Sequence, residues 1–160
     1  MTIKVGDTIP SVKLMQATPD GPREVSTDEI FKGRTVVLFA VPGAFTPTCS
    51  AKHLPSFLHN IDALKAKGVD TIACMAVNDV FVMDAWAKSQ GVGDRIVMLA
   101  DGSGALTRAL GLELDLTARG LGIRSQRFAL VAKDGVVTHL AVEAPGGFEV
   151  SKGEAILAVL

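Results

Sequence analysis

The run Thr35-Val36-Val37-Leu38-Phe39-Ala40-Val41 is halted at Pro42-Gly43 and followed by Ala44-Phe45-Thr46-Pro47-Thr48-Cys49-Ser50. It is continuous, β-branched and short, as a strand buried on both faces is. Beyond the polar turn, Leu54, Phe57, Leu58, Ile61 and Leu64 recur at helical spacing through residues 50–67, with Gly68 as the C-terminal cap. The unit then repeats. Residues 71–77 read as a second buried strand, 80–90 as a helix around Trp86, and 96–100 as a third strand before a short helix ending at Gly111. This alternation predicts an α/β fold: a central, mostly parallel sheet flanked by helices on both faces.

The pattern changes toward the C-terminus. Residues 127–133 and 136–143 flank Asp134-Gly135, a strong hairpin signal, so an antiparallel C-terminal hairpin is expected at the sheet edge. Ser151 with Glu154 three residues later is a capping-box pattern opening a last helix, whose apolar face is Ala155, Ile156, Leu157, Val159 and Leu160. The N-terminal part is turn-rich at Thr18-Pro19-Asp20-Gly21-Pro22. No repeat, low-complexity tract or linker interrupts the chain, and residues 1–160 are read as one domain.

Composition excludes several classes of function. With 160 residues, 48% of them hydrophobic, the chain has enough material for a core. Sixteen basic against 17 acidic residues leave a net charge of -1, so no long-range field draws it to nucleic acid or an anionic membrane. No basic patch interleaved with aromatics recommends a nucleic-acid role. The densest apolar runs, 36–41 and 72–77, are six residues each, where a membrane span needs about 18. Lys4 and Asp7 break the opening before a signal-peptide core forms, so a reducing cytoplasm is the default compartment. An organelle stays open, since a removed import peptide leaves no trace. The 2 cysteines make no disulfide framework and must be judged singly.

Cys49 stands where α/β sheets keep their active groups, just beyond the carboxyl end of a strand. At the first turn of a helix, unpaired N–H groups and the dipole favour an anion, and a thiol there loses its proton more readily. Pro42 fixes the strand exit, Pro47 suits an early helical position, and Thr46 is a natural cap, each explicable without chemistry. Together, Pro-x-x-x-Thr-x-x-Cys puts a hydroxyl three residues before a thiol on a rigid turn. Cys74, inside Thr71-Ile72-Ala73-Cys74-Met75-Ala76-Val77, reads instead as a buried, inert thiol.

The stretch Val41-Pro42-Gly43-Ala44-Phe45-Thr46-Pro47-Thr48-Cys49-Ser50 resembles the peroxidatic loop of the peroxiredoxins, in their peroxiredoxin-5 or plant type II branch. The resemblance continues through 63–69, Val77-Asn78-Asp79, 99–104, 112–116 and Gly120-Leu121-Gly122-Ile123-Arg124-Ser125-Gln126-Arg127-Phe128. It implies a thioredoxin-like fold and a thiol peroxidase that reduces hydrogen peroxide and alkyl hydroperoxides without metal, haem or flavin. The scattered histidines 53, 59 and 139 agree, because Cys49 with His53 offers two ligands where zinc wants four. By the same pattern Cys49 is the peroxidatic thiolate that becomes a sulfenic acid. Thr46 and Arg127 would be its catalytic partners, with Pro42, Thr48 and Arg124 supporting the substrate. The transition state spreads charge over sulfur and two oxygens, so fixed donors are required, and the Thr48 and Cys49 N–H groups add to the Thr46 hydroxyl and the Arg127 fork.

Plant type II relatives carry a second cysteine at the Cys74 spacing, which makes Cys74 a candidate resolving residue. The late resolving cysteine of the longer pattern is absent from residues 146–152. Otherwise an external thiol must act, glutathione with glutaredoxin or thioredoxin. The resemblance also implies a homodimer with its active-site loops near the interface. Phe45 and Leu121 would form an apolar rim to the site. Two other readings stay open: a redox sensor signalling through oxidised Cys49, and a hydrolase pairing Cys49 with His53 one helical turn on. A thioredoxin-type C-x-x-C is absent, since neither Thr46 nor Lys52 is a cysteine.

Overall fold

The computed structural model describes residues 2–160. In chain order its elements are β1 (Lys13–Thr18), β2 (Gly21–Ser26), α1 (Thr27–Phe31), β3 (Thr35–Ala40), a π turn (Cys49–His53), α2 (Leu54–Leu58) and α3 (Ile61–Ala66). There follow β4 (Thr71–Ala76), α4 (Val80–Ser89), β5 (Val97–Ala100), α5 (Ala105–Leu110), β6 (Glu113–Leu116), a 3₁₀ turn (Thr117–Arg119), β7 (Gly122–Ser125), β8 (Phe128–Lys133), β9 (Val136–Val142) and α6 (Gly153–Leu157). The main sheet runs β2-β1-β5-β4-β3-β8-β9, and β6 pairs with β7 apart from it.

The three strands expected from buried apolar runs lie together at the centre, with β4 parallel to both β3 and β5. The margins are antiparallel, with β8–β9 on one side and β1–β2 on the other, so the sheet is mixed rather than mostly parallel. The sequence of the opening predicts only turns. It forms a hairpin because Gly21 takes φ +117° at the bend and the Thr18 hydroxyl donates to Gly21 O at 2.7 Å. At the other margin Asp134 and Gly135, both at positive φ, make the tight turn their sequence announces.

Alternate residues of the central strands supply opposite cores. Val37, Phe39, Ile72, Cys74 and Ala76 face Leu54, Phe57, Leu64, Met83 and Trp86. Val36, Leu38, Ala73 and Met75 face Phe31, Leu106 and Leu110. Each such large side chain contributes about 1.5–3 kcal/mol when fully buried, which pins the strand register that the site depends on.

The helix expected over 50–67 is interrupted twice. Pro55 has no N–H to direct at Ala51 and its ring would crowd that carbonyl, and the turn before it widens so that Leu54 N–H reaches Cys49 O. At Asn60 (φ -114°, ψ 12°) the side-chain amide donates to Ser56 O at 2.7 Å and the chain breaks before α3. The capping box at Ser151 does not form either: Lys152 caps α6, while the Ser151 hydroxyl donates to Glu143 Oε2 at 2.7 Å. A complete capping box does open α1, from Ser26 and Glu29.

Candidate active site

The chain leaving β3 is held by backbone and side-chain bonds before it reaches Cys49. Val41 N–H donates to Met75 O at 3.0 Å, and Ala44 N–H donates to Asn78 Oδ1 at 2.9 Å. Phe45 then takes φ +64°, a left-handed conformation that costs a bulky residue about 1–3 kcal/mol and persists only where its surroundings impose it. Thr46 follows, with its hydroxyl donating to Gly43 O at 2.7 Å. Ser50 N–H makes the first helical bond, to Thr46 O at 3.0 Å, so the N–H groups of Thr48 and Cys49 lie in an opening turn that has no carbonyl to serve them. Trp86 Nε1 donates to Ser50 Oγ at 2.9 Å, tying α4 to the turn that carries Cys49.

Cys49 is fully buried, yet its sulfur has a cationic neighbour. Arg127 Nη2 donates to Cys49 Sγ at 3.1 Å and Nη1 lies 2.9 Å from His53 Nδ1. The arginine reaches the thiol because β8 runs antiparallel to β3 with Phe128 opposite Ala40, so the residue before β8 lies beyond the end of β3. His53 shares the wide π turn with Cys49 and is itself fully buried among Phe39, Phe57 and Phe148. Its Nε2 is 3.0 Å from Ser151 O. A carbonyl only accepts, so Nε2 carries the hydrogen and Nδ1 is a bare acceptor facing the guanidinium. Burial, and then the Arg127 charge, lower the His53 pKa to about 3. The imidazole is therefore neutral, and its free lone pair is occupied by Arg127 rather than turned to the thiol. That arrangement removes His53 as a base for Cys49.

The other candidates are placed around this pair. Arg124, on β7, donates from Nε to Leu121 O at 2.8 Å and from Nη1 to Pro42 O at 3.3 Å, bracing the loop at its start. A Cβ on Gly43 would come within 2.9 Å of the same Arg124 Nη1, so the close approach depends on glycine there. Thr48 caps the π turn without a side-chain bond. Cys74 lies in β4 opposite Phe39 and Met98, fully buried in the same core as Cys49, and both thiols are free. Burial, followed by the neighbouring Cys49, pushes the Cys74 thiol well above its usual pKa. Phe45, on the loop itself, and Leu121, whose carbonyl accepts from Arg124 Nε, are both exposed. Among the described residues no group of three or more His, Cys, Asp or Glu converges as metal ligands do.

Sequence reasoning gave Asn78, Trp86, Ser50, Glu143 and Ser151 no role at the site. Val77-Asn78-Asp79 follows the second strand, at the sheet end where sites form, and that was the available signal for Asn78. Nothing local marks Glu143, whose buried carboxylate accepts from Glu149 N, Ser151 N and Ser151 Oγ at 2.7–2.8 Å.

Residues 4–157 match the family model described as Redoxin. The chain is 53% identical to the chloroplastic Peroxiredoxin-2E-2 of Oryza sativa subsp. japonica, over 99% of this chain and 73% of that protein. Reduced Prx3 of Vibrio vulnificus, solved in complex with hydrogen peroxide, superposes with a TM-score of 0.94 at 53% identity, covering 99% of each chain. Peroxiredoxin 5 of Alvinella pompejana gives a TM-score of 0.86 at 40% identity, over 98% of this chain and 96% of that one.

Proposed function

Since the chain belongs to the redoxin family and is a peroxiredoxin, a thiol-dependent peroxidase of thioredoxin-like fold, we propose that Cys49 is its peroxidatic residue and Arg127 and Thr46 are its catalytic partners. The observation that carries this reading is the 3.1 Å contact from Arg127 Nη2 to Cys49 Sγ. A charge-assisted donor of fixed geometry is what a sulfur nucleophile in an apolar pocket requires.

In the reaction the Cys49 thiolate attacks the terminal peroxide oxygen. A sulfur–oxygen bond forms and the O–O bond breaks. The departing oxygen leaves as water or alcohol after taking a proton, and Cys49 becomes a sulfenic acid. The Arg127 fork and the first-turn N–H groups of Thr48 and Cys49 face the developing charge. The Thr46 hydroxyl is not the donor expected from sequence: its proton goes to Gly43 O, and its lone pairs are left for the peroxide O–H. Pro42 and Arg124 act one step back, by holding the loop through the 3.3 Å bond between them.

The sulfenic acid then condenses with an external thiol, releasing water, and a second thiol exchanges the mixed disulfide back to Cys49. Glutathione with glutaredoxin, or thioredoxin, fills that role, because Cys74 is held inside β4 between Phe39 and Met98, with no cationic donor at its sulfur among the described residues and its thiol pushed well above the usual pKa. Residues 1–160 act as one domain, and Phe45, Leu121 and Ile123, exposed beside the loop, supply an apolar surface on which a second copy pairs. No helix among the described residues is long and apolar enough to cross a membrane. The cytoplasm is the expected compartment, and the chloroplastic relative gives an organelle equal footing.

A stopped-flow assay of hydrogen peroxide and an alkyl hydroperoxide, run with each reductant in turn on wild type and Cys49→Ser, tests the reading. Rapid turnover that survives in Cys49→Ser would overturn it. The sensor reading predicts a slow peroxide reaction instead.

A further inference from the structure

Beyond the residues that meet the peroxide, the fold contains a polar chain that ends on Arg127. It begins at Glu143, which leaves β9 and whose N–H donates to Arg127 O at 2.9 Å. Its carboxylate gathers Glu149 N–H, Ser151 N–H and Ser151 Oγ–H, closing the 143–151 loop on itself. Gly147 lets this loop pack tightly, since a Cβ there would lie 3.1 Å from Ala144 O. The closed loop presents the Ser151 carbonyl to His53 Nε2–H at 3.0 Å, and His53 Nδ1 meets Arg127 Nη1 at 2.9 Å.

We propose that His53 is a positioning residue for Arg127. By presenting Nδ1 as a fixed acceptor for one guanidinium nitrogen, it aims the adjacent nitrogen at Cys49 Sγ, and Glu143 sets the His53 tautomer through the Ser151 carbonyl. The proposal rests on the reading of Arg127 as the donor to Cys49.

The geometry favours this role over mere packing. A guanidinium is a rigid planar fork, so holding Nη1 dictates where Nη2 points. The box around His53 is formed by Phe39, Phe57 and Phe148, which an aliphatic side chain would also fill, and burying a polar ring there has an energetic cost unless both nitrogens are paired. Both are. The charged groups acting on the ring are Arg127, just before β8, and Glu143, just past β9 and behind Ser151. The guanidinium opposes protonation and the more distant carboxylate offsets it only in part. The acceptor therefore stays bare throughout the pH range in which a peroxidase works.

The test compares His53→Leu, His53→Asn, Arg127→Ala and the His53→Leu/Arg127→Ala double variant. It reads the second-order rate constant with hydrogen peroxide and the pH profile of Cys49 alkylation by iodoacetamide. Removing one bond to a charged group lowers the His53→Leu rate constant about tenfold and moves its alkylation profile to higher pH. His53→Asn, whose Oδ1 stands near the place of Nδ1, restores most of both. His53→Leu adds nothing in the Arg127→Ala background. A folded His53→Leu with wild-type rate and profile, beside an impaired Arg127→Ala, overturns the positioning role alone. So does a loss that Asn does not restore, or one that adds in full to Arg127→Ala. A wild-type rate in Arg127→Ala overturns the underlying reading. Nitrogen-15 imidazole spectra of the wild-type protein stand independent of any folding defect. The Nε2–H tautomer without titration between pH 5 and 8 is the expected result, and an Nδ1–H tautomer or a midpoint near 6.5 overturns the proposal.

Discussion

Cys49 and Cys74 belong to one core and are equally buried, at 0% exposure each. They differ in what lies at the sulfur. Cys74 is enclosed by strand neighbours, and burial raises its pKa well above the usual value. Cys49 sits on the opening turn of a helical segment with a guanidinium nitrogen 3.1 Å away. Under the proposed roles, burial alone does not sort the reactive thiol from the inert one. A fixed donor in a site that excludes water does, because the same low dielectric that penalises an unpaired anion strengthens a paired one.

The sharpest way to break this comparison is to exchange the roles of the two sulfurs. Cys49→Ser should lower the peroxide rate constant by about a thousandfold or more, since a hydroxyl is a far poorer nucleophile at neutral pH. Stopped-flow measurement checks it, and turnover sustained by Cys74 would erase the distinction. Next in size, Arg127→Ala should cost about a hundredfold in the same constant and move Cys49 alkylation to higher pH, as the loss of a preorganised donor does.

Cys74→Ala addresses the other side. It should leave peroxide reduction by glutathione/glutaredoxin or thioredoxin within about twofold of wild type, while the small cavity in β4 costs about 1 kcal/mol in urea unfolding. Mass spectrometry of the peroxide-treated wild type should find an external thiol on Cys49. A Cys49–Cys74 crosslink would place the second sulfur in the cycle.

The smallest effect at neutral pH concerns the histidine beside one thiol and not the other. The folded His53 pKa, about 3, lies below its unfolded value of 6.5, so the unfolded chain takes up the proton first. Stability is complete above pH 6.5 and declines as pH falls toward 3, by at most about 1.4 kcal/mol per pH unit from this group. Glu143, with its carboxyl held low by the Ser151 and Glu149 donors, loses its contribution in the same direction, but only in the carboxylate range. Urea midpoints between pH 7 and 5 should therefore fall for wild type and less for His53→Asn, and equal slopes would contradict a buried neutral imidazole.

Much of this was legible from local pattern. The apolar runs of β3 and β4, the Asp134-Gly135 turn and the helix start at Cys49 announce themselves, because each depends on residues close together in the chain. The break in the helix after Cys49 was also written locally, in Pro55. The opening hairpin was not: its strands carry few apolar residues, and beyond the local Thr18–Gly21 bend they are held by β1 pairing with β5 and by Leu14 and Val25 entering the core. The failure of the Ser151 capping box has the same origin, since Glu143 outcompetes the helix for that hydroxyl from eight residues away.

The pairing of Cys49 with His53 shows most clearly where sequence stops and structure takes over. Four residues of spacing put both on one face, and sequence by itself determined that, along with the α/β architecture and the placing of Cys49 on a polar turn and Cys74 in an apolar strand. It left open whether His53 would take a proton from the thiol. Only the tertiary structure decided, by laying β8 antiparallel beside β3 with Phe128 opposite Ala40, which brings Arg127 between them to occupy the His53 lone pair and reach the sulfur. Local spacing sets which groups can meet along a helix. Which of them hydrogen-bond depends on a third group whose arrival is fixed by strand register, a property of the whole sheet.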